Sequence, residues 1–328
     1  MNSRFALSAI LAVGLAPVAA VKADTIPVQY NPIAIGASDA SSINGAGQVV
    51  GSASPSFGAP RKAYFWNGTS INWIGLSGYS TSTANGVNGA KVVGTANPIG
   101  TFTPKGYLYD GGTTTILPTL GGANCSPMAI NGSGVVVGFS QDGAGLVKAF
   151  AYNGGVITNL GTLGGPTSNA MDINGSGVVV GSSRISAANS ITRAYLHNGT
   201  SMSALPALWE GGSSFALGVN DGNVVVGMAD EGGVRKPVYW SGGQISKISD
   251  FAGQVNDVNN SGTLVGGYSN GTQQVAFLFK SGLLIDLNNK LPQNSGWRLF
   301  RAVSINDNGY IVCSGLYNGA PATCVLRF

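Results

Sequence analysis

The side chains most used in enzyme chemistry are scarce in this sequence. It contains a single histidine, His197, and three cysteines, Cys125, Cys313 and Cys324. A transition-metal site needs several closely spaced ligands, and a Ser-His-Asp arrangement would have to use His197, although the sequence has no nucleophile-elbow motif. We therefore predict no metal site, no cofactor and no catalytic residue. His197 ends a strand-like segment where other copies of the repeat described below have an aromatic residue, so we expect it to fill an aromatic position.

Three aspartates could meet in a common site. Asp39, Asp172 and Asp257 lie in or near the first segment of the first, fourth and sixth repeats, which would be the innermost strands of a propeller. Two carboxylates facing each other across a central channel could act as general acid and base, with a carbohydrate as the expected substrate. The alternative is that all three are solvated carboxylates of the channel wall or of turns.

A basic residue recurs at one position of the first five repeats, directly before the small residue of the third segment. The residues at this position are Lys62, Lys105, Lys148, Arg193 and Lys236. Arg61 and Arg235 each precede one of them, whereas the last two repeats have Val275 and Thr323 at this position. Equivalent positions of successive blades lie on one face, so we expect a basic arc that binds an anionic polysaccharide or an acidic protein partner. The alternative is that these cations blunt strand ends and keep a weakly charged protein soluble.

An internal repeat supplies the elements that would position these residues. A phrase of the type Ala-x-x-Ile-Asn-Gly-x-Gly-x-Val-Val-Gly occurs seven times with a period of about 44 residues, which is typical of propeller blades. Its asparagines are Asn44, Asn88, Asn131, Asn174, Asn220, Asn259 and Asn306. Each copy contains four short segments rich in β-branched and aromatic residues, a pattern that indicates antiparallel strands. We predict an all-β fold: a seven-bladed β-propeller of four-stranded antiparallel blades that fills residues 24–328 as a single domain.

The seventh copy has only three strand-like segments before the sequence ends at Phe328. We expect the extended segment of residues 25–35 to supply its fourth strand, so that both ends of the chain share the last blade and close the ring. In this blade Asn318 and Gly319 predict a two-residue hairpin turn. Counting outward from the turn places Cys313 opposite Cys324, within reach of a disulfide. We predict that this disulfide forms and that Cys125 stays unpaired.

Two further repeat positions are explained by local structure. Asparagine tolerates the left-handed conformation and binds nearby backbone in turns, so the recurring Asn is expected to form the turn between the first and second strands. The Gly that ends the second strand is expected to pair with a small residue of the third strand. Examples of this expected pairing are Gly138 with Ala149 and Gly181 with Ala194.

The beginning of the sequence predicts export. Residues 1–23 have the pattern of a secretory signal peptide, with Arg4 followed by an apolar run too short to span a bilayer. We expect a protein located outside the cell or in the periplasm, with no membrane insertion. Without Arg4 and Lys22, the 17 basic residues become 15 against 13 acidic residues, a net charge of +2 that is too low to predict nucleic-acid binding.

The sequence resembles the HAF family of bacterial extracellular repeat proteins. The resemblance is carried by the Ile-Asn-Gly-Ser-Gly-Val-Val-Val-Gly phrase, by Leu-Gly-Thr-Leu-Gly-Gly at residues 160–165 and by the related segment at residues 117–122. Lys148, Ala149 and Phe150 stand where the family usually has His-Ala-Phe, and residues 286–309 look like its closing repeat. Two departures are the Lys or Arg in place of that His and Cys313 in place of a Gly. The resemblance implies an exported protein with repeated β-structure, and it transfers no catalytic residue.

Two functions from different classes follow from these observations. The favoured function is a non-enzymatic propeller that acts as a binding or scaffold module, with the basic arc as its binding surface. The other is a carbohydrate-active enzyme that uses carboxylates at the channel mouth. Carboxylates grouped in one pocket would favour the enzyme, whereas a shallow face with basic and aromatic residues would favour the binding module.

Overall fold

The computed structural model describes residues 29–328. The predicted signal peptide and residues 25–28 of the predicted closing segment lie outside the described residues. The described part contains 28 strands in seven sheets of four antiparallel strands, and one short 3-10 helix. The predicted seven-bladed propeller is therefore confirmed. No helix within residues 29–328 is long and apolar enough to cross a membrane.

Each of the first six blades uses four consecutive strands, ordered from the channel outward. Blade 1 contains β2 (Asp39–Ile43), β3 (Val49–Ala53), β4 (Lys62–Trp66) and β5 (Ile71–Trp73). Blade 2 contains β6 (Tyr79–Asn88), β7 (Lys91–Pro98), β8 (Lys105–Asp110) and β9 (Thr113–Ile116). Blade 3 contains β10 (Gly121–Ile130), β11 (Val136–Asp142), β12 (Val147–Asn153) and β13 (Val156–Asn159).

The next three blades repeat this arrangement. Blade 4 contains β14 (Ser168–Ile173), β15 (Val179–Arg184), β16 (Thr192–His197) and β17 (Met202–Ala204). Blade 5 contains β18 (Ser214–Val219), β19 (Val225–Glu231), β20 (Val234–Ser241) and β21 (Gln244–Lys247). Blade 6 contains β22 (Ala252–Val258), β23 (Leu264–Ser269), β24 (Gln274–Lys280) and β25 (Leu283–Asp286), followed by the 3-10 helix (Leu287–Lys290).

Blade 7 is completed by the N-terminal end of the described chain. It contains β26 (Trp297–Ile305), β27 (Ile311–Tyr317) and β28 (Ala320–Arg327), and β1 (Asn31–Ala34) pairs with β28 as the outermost strand. The predicted closure is confirmed, with a shorter strand than residues 25–35. Pairing the two ends in one sheet gives blade 7 the same four strands as the others.

Successive residues of each second strand pack into two different cores. Val136 packs with Phe150 between blades 2 and 3, whereas Val137 packs with Ala170 between blades 3 and 4. Both valines are fully buried. The Val-rich second strands are therefore buried on both faces, as their unbroken apolar character predicts.

The predicted pairing of Gly with a small residue is wrong by one position. Gly138 pairs with Phe150 and Gly181 pairs with Tyr195, so Ala149 and Ala194 each lie one residue away from the predicted register. The glycine lies against the backbone of the innermost strand: a Cβ at Gly94 would stand 1.9 Å from the carbonyl oxygen of Thr83 and 2.7 Å from the hydroxyl of Tyr107. Glycine is needed here because a backbone carbonyl of the innermost strand occupies the space that a Cβ would need.

Blade 7 replaces this glycine and its aromatic partner by two cysteines. Cys313 is directly opposite Cys324, as the hairpin count predicts. Both side chains are fully buried, and both are free thiols in this structure. The register is confirmed, and the disulfide itself stays a prediction. Thr323 is the residue predicted for the basic-arc position of blade 7, and this prediction is wrong by one residue. Ala322, opposite Gly315, occupies that position, whereas Thr323 pairs with Ser314.

Candidate functional site

The propeller has two faces that differ in their connections. The loop face is the side where the innermost strands begin and where loops join the second strands to the third strands. The turn face is the side where the recurring Asn connects the first strand to the second. Three cavities of about 300, 250 and 240 Å³ follow one another from the loop face to the turn face, and each shares wall residues with the next. They form the central channel.

A β-bulge occurs at the same point of every innermost strand. The extra residues are Ser41, Asn85, Met128, Met171, Leu217, Asn256 and Val303. We call these seven residues the bulge ring. All seven line both the cavity at the loop face and the middle cavity. A bulge re-aims one side chain out of the regular alternation, so each blade presents one residue to the channel at the same height.

The middle cavity contains two of the three predicted carboxylates. Asp172 accepts hydrogen bonds from the backbone N–H groups of Ile173 and Val219, both at 2.8 Å. Asp257 accepts from the N–H of Val258 at 2.8 Å and from Ile305 at 2.9 Å, and also from the Ser304 hydroxyl. Each carboxylate therefore joins its own blade to the next one.

Burial changes the acidity of these two carboxylates. Burial, together with repulsion from Asp257, raises the pKa of Asp172 to about 7. Burial also raises the pKa of Asp257, against hydrogen bonds from Ser304, Ile305 and Val258 that favour its charged form. A carboxyl group with a pKa near neutrality can both donate and accept a proton, which general acid–base chemistry requires.

Asp39 lies elsewhere. It begins β2 at the loop face and forms a salt bridge with Arg61, in which both side chains are largely exposed. It is absent from the walls of the three channel cavities. The structure therefore brings Asp172 and Asp257 together and leaves Asp39 out.

The five cations of the basic arc lie on the loop face, each near the beginning of a third strand, and each reaches the next blade. Lys62 donates to the carbonyls of Tyr79 and Ser80, at 3.1 and 3.0 Å. Lys105 donates to the Ala123 carbonyl at 2.8 Å, and Lys148 donates to Pro166 at 2.6 Å. Arg193 reaches the carbonyls of Gly212 and Glu210, and Lys236 reaches that of Asp250. Each cation thus connects its blade either to the first strand of the next blade or to the segment that leads into it.

These contacts leave the positive charge of the arc without a directly bound carboxylate. The five side chains are half-buried, and none of them forms a salt bridge among residues 29–328. Their partners are neutral carbonyl groups. These contacts to the next blade were not predicted from the sequence. The signal that could have indicated them is the recurrence of a basic residue at one repeat position, which is the pattern that a blade-to-blade contact produces.

The recurring Asn forms the predicted turn and also links neighbouring blades. In each linked blade the side-chain carbonyl accepts backbone N–H groups of its own turn, as Asn131 does from Ser133 and Val135. The side-chain amide donates to the equivalent backbone carbonyl of the next blade at 2.9–3.2 Å; the links run from Asn131 to Asn174, Asn220, Asn259, Asn306 and Asn44. Asn44 continues the series to the Gly89 carbonyl at 2.9 Å. We call these linked residues the Asn ring.

Cys125 and His197 both have structural surroundings. Cys125 is fully buried where the neighbouring blades have Ser82 and Ser168, whose hydroxyls accept a backbone N–H of the preceding blade. Burial raises the pKa of the Cys125 thiol to about 12, so it remains protonated. His197 is buried and accepts the Gly199 N–H at Nδ1, while burial lowers its pKa.

The described residues contain no cluster of three or more His, Cys, Asp or Glu side chains that could hold a metal ion. Asp172 and Asp257 provide only two carboxylates in the middle cavity. These two carboxyl groups provide a means of proton transfer within the channel.

Comparison with solved structures supports the fold. The chain is similar to the β-propeller domain of the Trilobed protease from Pyrococcus furiosus, with a TM-score of 0.60, 8% identity, and coverage of 90% of this chain and 95% of that one. That domain is described as having an open velcro topology, whereas β1 closes blade 7 here. No protein-family model matches the chain, and neither does any curated protein.

Two further propellers have similar scores and different activities. An oligogalacturonate lyase in complex with manganese matches with a TM-score of 0.54 and 13% identity over 92% of this chain and 97% of that one. A puromycin-hydrolyzing peptidase of Mycobacterium tuberculosis matches with a TM-score of 0.55 and 12% identity, over 91% of this chain and 51% of the peptidase. At such identities the likeness establishes the propeller fold alone.

Proposed function

We propose that this chain is an exported, HAF-like propeller that acts as a binding module and holds an anionic polysaccharide on its loop face. One observation carries the proposal. The five cations of the basic arc share one face, and among the described residues none of them is paired with a carboxylate. An arc of like charge raises the local concentration of an anionic polymer. The alternative partner is an acidic protein, whose carboxylates would pair with the same five cations.

Exposed aromatic residues on the loop face support this proposal. Phe57 and Phe102 stand on the loops between the second and third strands of blades 1 and 2, and their side chains are 108% and 96% exposed. Trp209 and Phe251 add exposed rings on the segments that lead into blades 5 and 6. Rings and cations together can stack on sugar rings and pair with their carboxylates.

Retention on immobilised alginate tests the proposal. We compare the parent protein without residues 1–23 with the double variant Lys105→Gln/Lys148→Gln. The control is Lys91→Gln/Lys280→Gln, which removes the same charge from the turn face. We expect the loop-face variant to bind about tenfold more weakly, because two exposed charge contacts together contribute about 1.4 kcal/mol. The control should elute with the parent.

The result is interpretable only for folded variants, so tryptophan fluorescence and melting curves accompany the chromatography. Raising the salt concentration should release the parent, since exposed charges are screened over a Debye length of about 8 Å at physiological salt. Equal elution of both double variants, or retention unchanged by the loop-face substitutions, would refute the basic arc as a binding surface.

A carbohydrate-active enzyme is the second candidate, favoured by the presence of Asp172 and Asp257 in one cavity and by the neutral-range pKa of Asp172. The test is a turnover screen on neutral and acidic glycans with the parent and with Asp172→Asn. Turnover that disappears in the variant at unchanged fold would establish this function. Binding without turnover would leave the binding module.

We also propose that, after export, a dithiol–disulfide oxidant of that compartment takes two electrons and two protons from the thiols of Cys313 and Cys324, which leaves a disulfide between them and reduces the oxidant to its dithiol. Their opposed positions in β27 and β28 support the bond, since directly opposed strand residues have Cα atoms about 5.5 Å apart, within disulfide reach. Closing this short loop would contribute about 3 kcal/mol at most. Peptide mapping of protein purified from the exported fraction should link these two residues. A link from Cys125 to either one would contradict the assignment.

A further inference from the structure

The cavity at the loop-face mouth of the channel has two unlike halves. The bulge ring contributes Met128, Met171 and Leu217 from blades 3, 4 and 5. The other four blades contribute Asn256, Val303, Ser41 and Asn85, from blades 6, 7, 1 and 2 in that order. An apolar arc of three blades therefore continues into a mostly polar arc of four blades around a volume of about 300 Å³, which lies within the range of small-molecule pockets.

Arg301 supplies the charged group of this cavity. It belongs to β26 and also lines a neighbouring cavity of about 320 Å³ between blades 5, 6 and 7. Its guanidinium donates to the side-chain carbonyl of Asn256 at 2.9 Å. Asn256 is itself held by the Ala302 carbonyl at 2.6 Å and by the Gln254 amide at 2.5 Å. The arginine is thus oriented by a fixed amide.

The guanidinium of Arg301 keeps most of its hydrogen-bonding capacity. A guanidinium has five N–H donors in a planar fork that matches a carboxylate. Arg301 donates to Asn256, a neutral group, and forms no salt bridge among the described residues. The cavity therefore contains an oriented cation without an anion, next to an apolar wall.

We propose that the mouth cavity is a binding site for a small organic carboxylate with an apolar body. The carboxylate pairs with Arg301, and the apolar body lies against Met128, Met171 and Leu217. Methionine side chains adapt to different apolar shapes, so the apolar half tolerates several bodies of similar size. Asp172 and Asp257 line the next cavity inward, and in their ionised forms they repel an anion, which keeps the carboxylate at the mouth.

Variation around the bulge ring supports a binding role. The flanking positions repeat closely, with Ala before the bulge in most blades and Ile or Val before the Asn, whereas the seven bulged residues are of five different types. Positions that hold blades together repeat from blade to blade. Apart from Asn85 and Asn256, which donate to backbone carbonyls of the next blade, the varied positions that face the cavity are available for a ligand.

Isothermal titration with hexanoate tests the proposal, and hexanamide serves as the uncharged analogue of the same shape. We expect saturable binding of hexanoate at one site and about tenfold weaker binding of hexanamide, because the charge-assisted pair with Arg301 is lost. Arg301→Gln should weaken hexanoate binding about tenfold, whereas Arg298→Gln, on the same strand and outside this cavity, should leave it unchanged.

Met171→Trp provides an independent check, because a larger ring at this point fills the apolar half. This variant should lose hexanoate binding while Arg301 remains in place. Absence of saturable hexanoate binding to the parent would overturn the proposal, as would equal affinity in Arg301→Gln or an equal loss in Arg298→Gln. The site uses none of the five basic-arc residues, so its failure and the failure of alginate retention are separate outcomes.

Discussion

The two faces of the propeller use repeated residues to different extents. On the turn face, six asparagines at equivalent positions form one hydrogen-bonded series that crosses the closure from Asn306 to Asn44. On the loop face, cations join the blades in the same way, but the loops between the second and third strands and the bulge ring differ from blade to blade. Repeated residues therefore hold neighbouring blades together on both faces, but only on the loop face are the repeated residues half-buried cations, which stand beside varied residues that are available for a ligand.

Blade 2 is the exception that supports this interpretation. Its turn is one residue shorter, so Asn88 pairs with Lys91 in the strand ladder and its side chain is exposed. Asn44 therefore reaches the carbonyl of Gly89 instead of that of Asn88. The same residue type in the same phrase loses its blade-to-blade role when the turn geometry changes.

The largest effect is expected from breaking the Asn ring. Asn259→Ala removes a buried link to the Asn306 carbonyl and two bonds within its own turn, from Ser261 and Thr263. We expect a loss of about 3 kcal/mol in the free energy of unfolding, at about 1 kcal/mol for each bond. Urea denaturation measures it. Asn88→Ala is the matched control, and a loss there as large as at Asn259 would remove the distinction between ring and non-ring asparagines.

A pH titration of stability examines the channel between the two faces. The pKa of Asp172 is about 7 in the folded protein, against about 3.9 in an unfolded chain. The folded state therefore binds this proton more tightly, so stability is fully present below about pH 4 and is lost as the pH rises through 7. Between pH 5 and pH 7, we expect a decrease of about 2 kcal/mol.

Asp172→Asn should make this decrease smaller, because the variant has no proton to release. The exposed Asp39→Asn, which affects only a surface ion pair with Arg61, is the control and should retain the parent's slope. If the parent and Asp172→Asn have parallel curves of unfolding free energy against pH, the raised pKa assigned to the channel carboxylate is wrong.

A smaller effect is expected at the loop-face links. Lys148→Met keeps the aliphatic stem and removes the ammonium group that binds the Pro166 carbonyl. We expect a loss of about 1 kcal/mol in the free energy of unfolding. Lys91→Met, at an exposed salt bridge with Asp110, should cost less than about 0.5 kcal/mol. Equal losses would mean that Lys148 contributes no more than a surface ion pair.

Much of the fold could be predicted from the sequence because its signals are local and recur. Seven spaced asparagines, strand-like segments between turns and a three-segment last repeat are sufficient for seven blades and their closure. The hairpin at Asn318 and Gly319 fixes the register of Cys313 and Cys324. The predicted partner of Gly138 was wrong by one residue because no two-residue turn joins β11 to β12. Asp142 instead starts a longer loop before β12.

The candidate site was harder to predict because its contacts join different blades. Asp172 and Asp257 were correctly placed near a common channel, but their bonds to Val219 and Ile305 depend on how one blade packs on the next. The bulge ring was not predicted because its residues differ from repeat to repeat. The regular alternation of side chains along a strand also predicts no bulge at this position. Arg301 stands outside every repeated phrase, so nothing in the sequence distinguishes it from the other arginines.

Hydrogen exchange with and without alginate oligosaccharide shows which face binds, since we assign ligand binding to the loop face and only blade-to-blade contacts to the turn face. We expect slower exchange at residues 99–106, 143–149 and 185–194, which include the loop-face loops and three arc cations. Residues 44–48, 131–135 and 259–263 of the turn face should exchange equally in both samples. Protection confined to the turn face, or no protection at a saturating concentration, would contradict this assignment of the two faces.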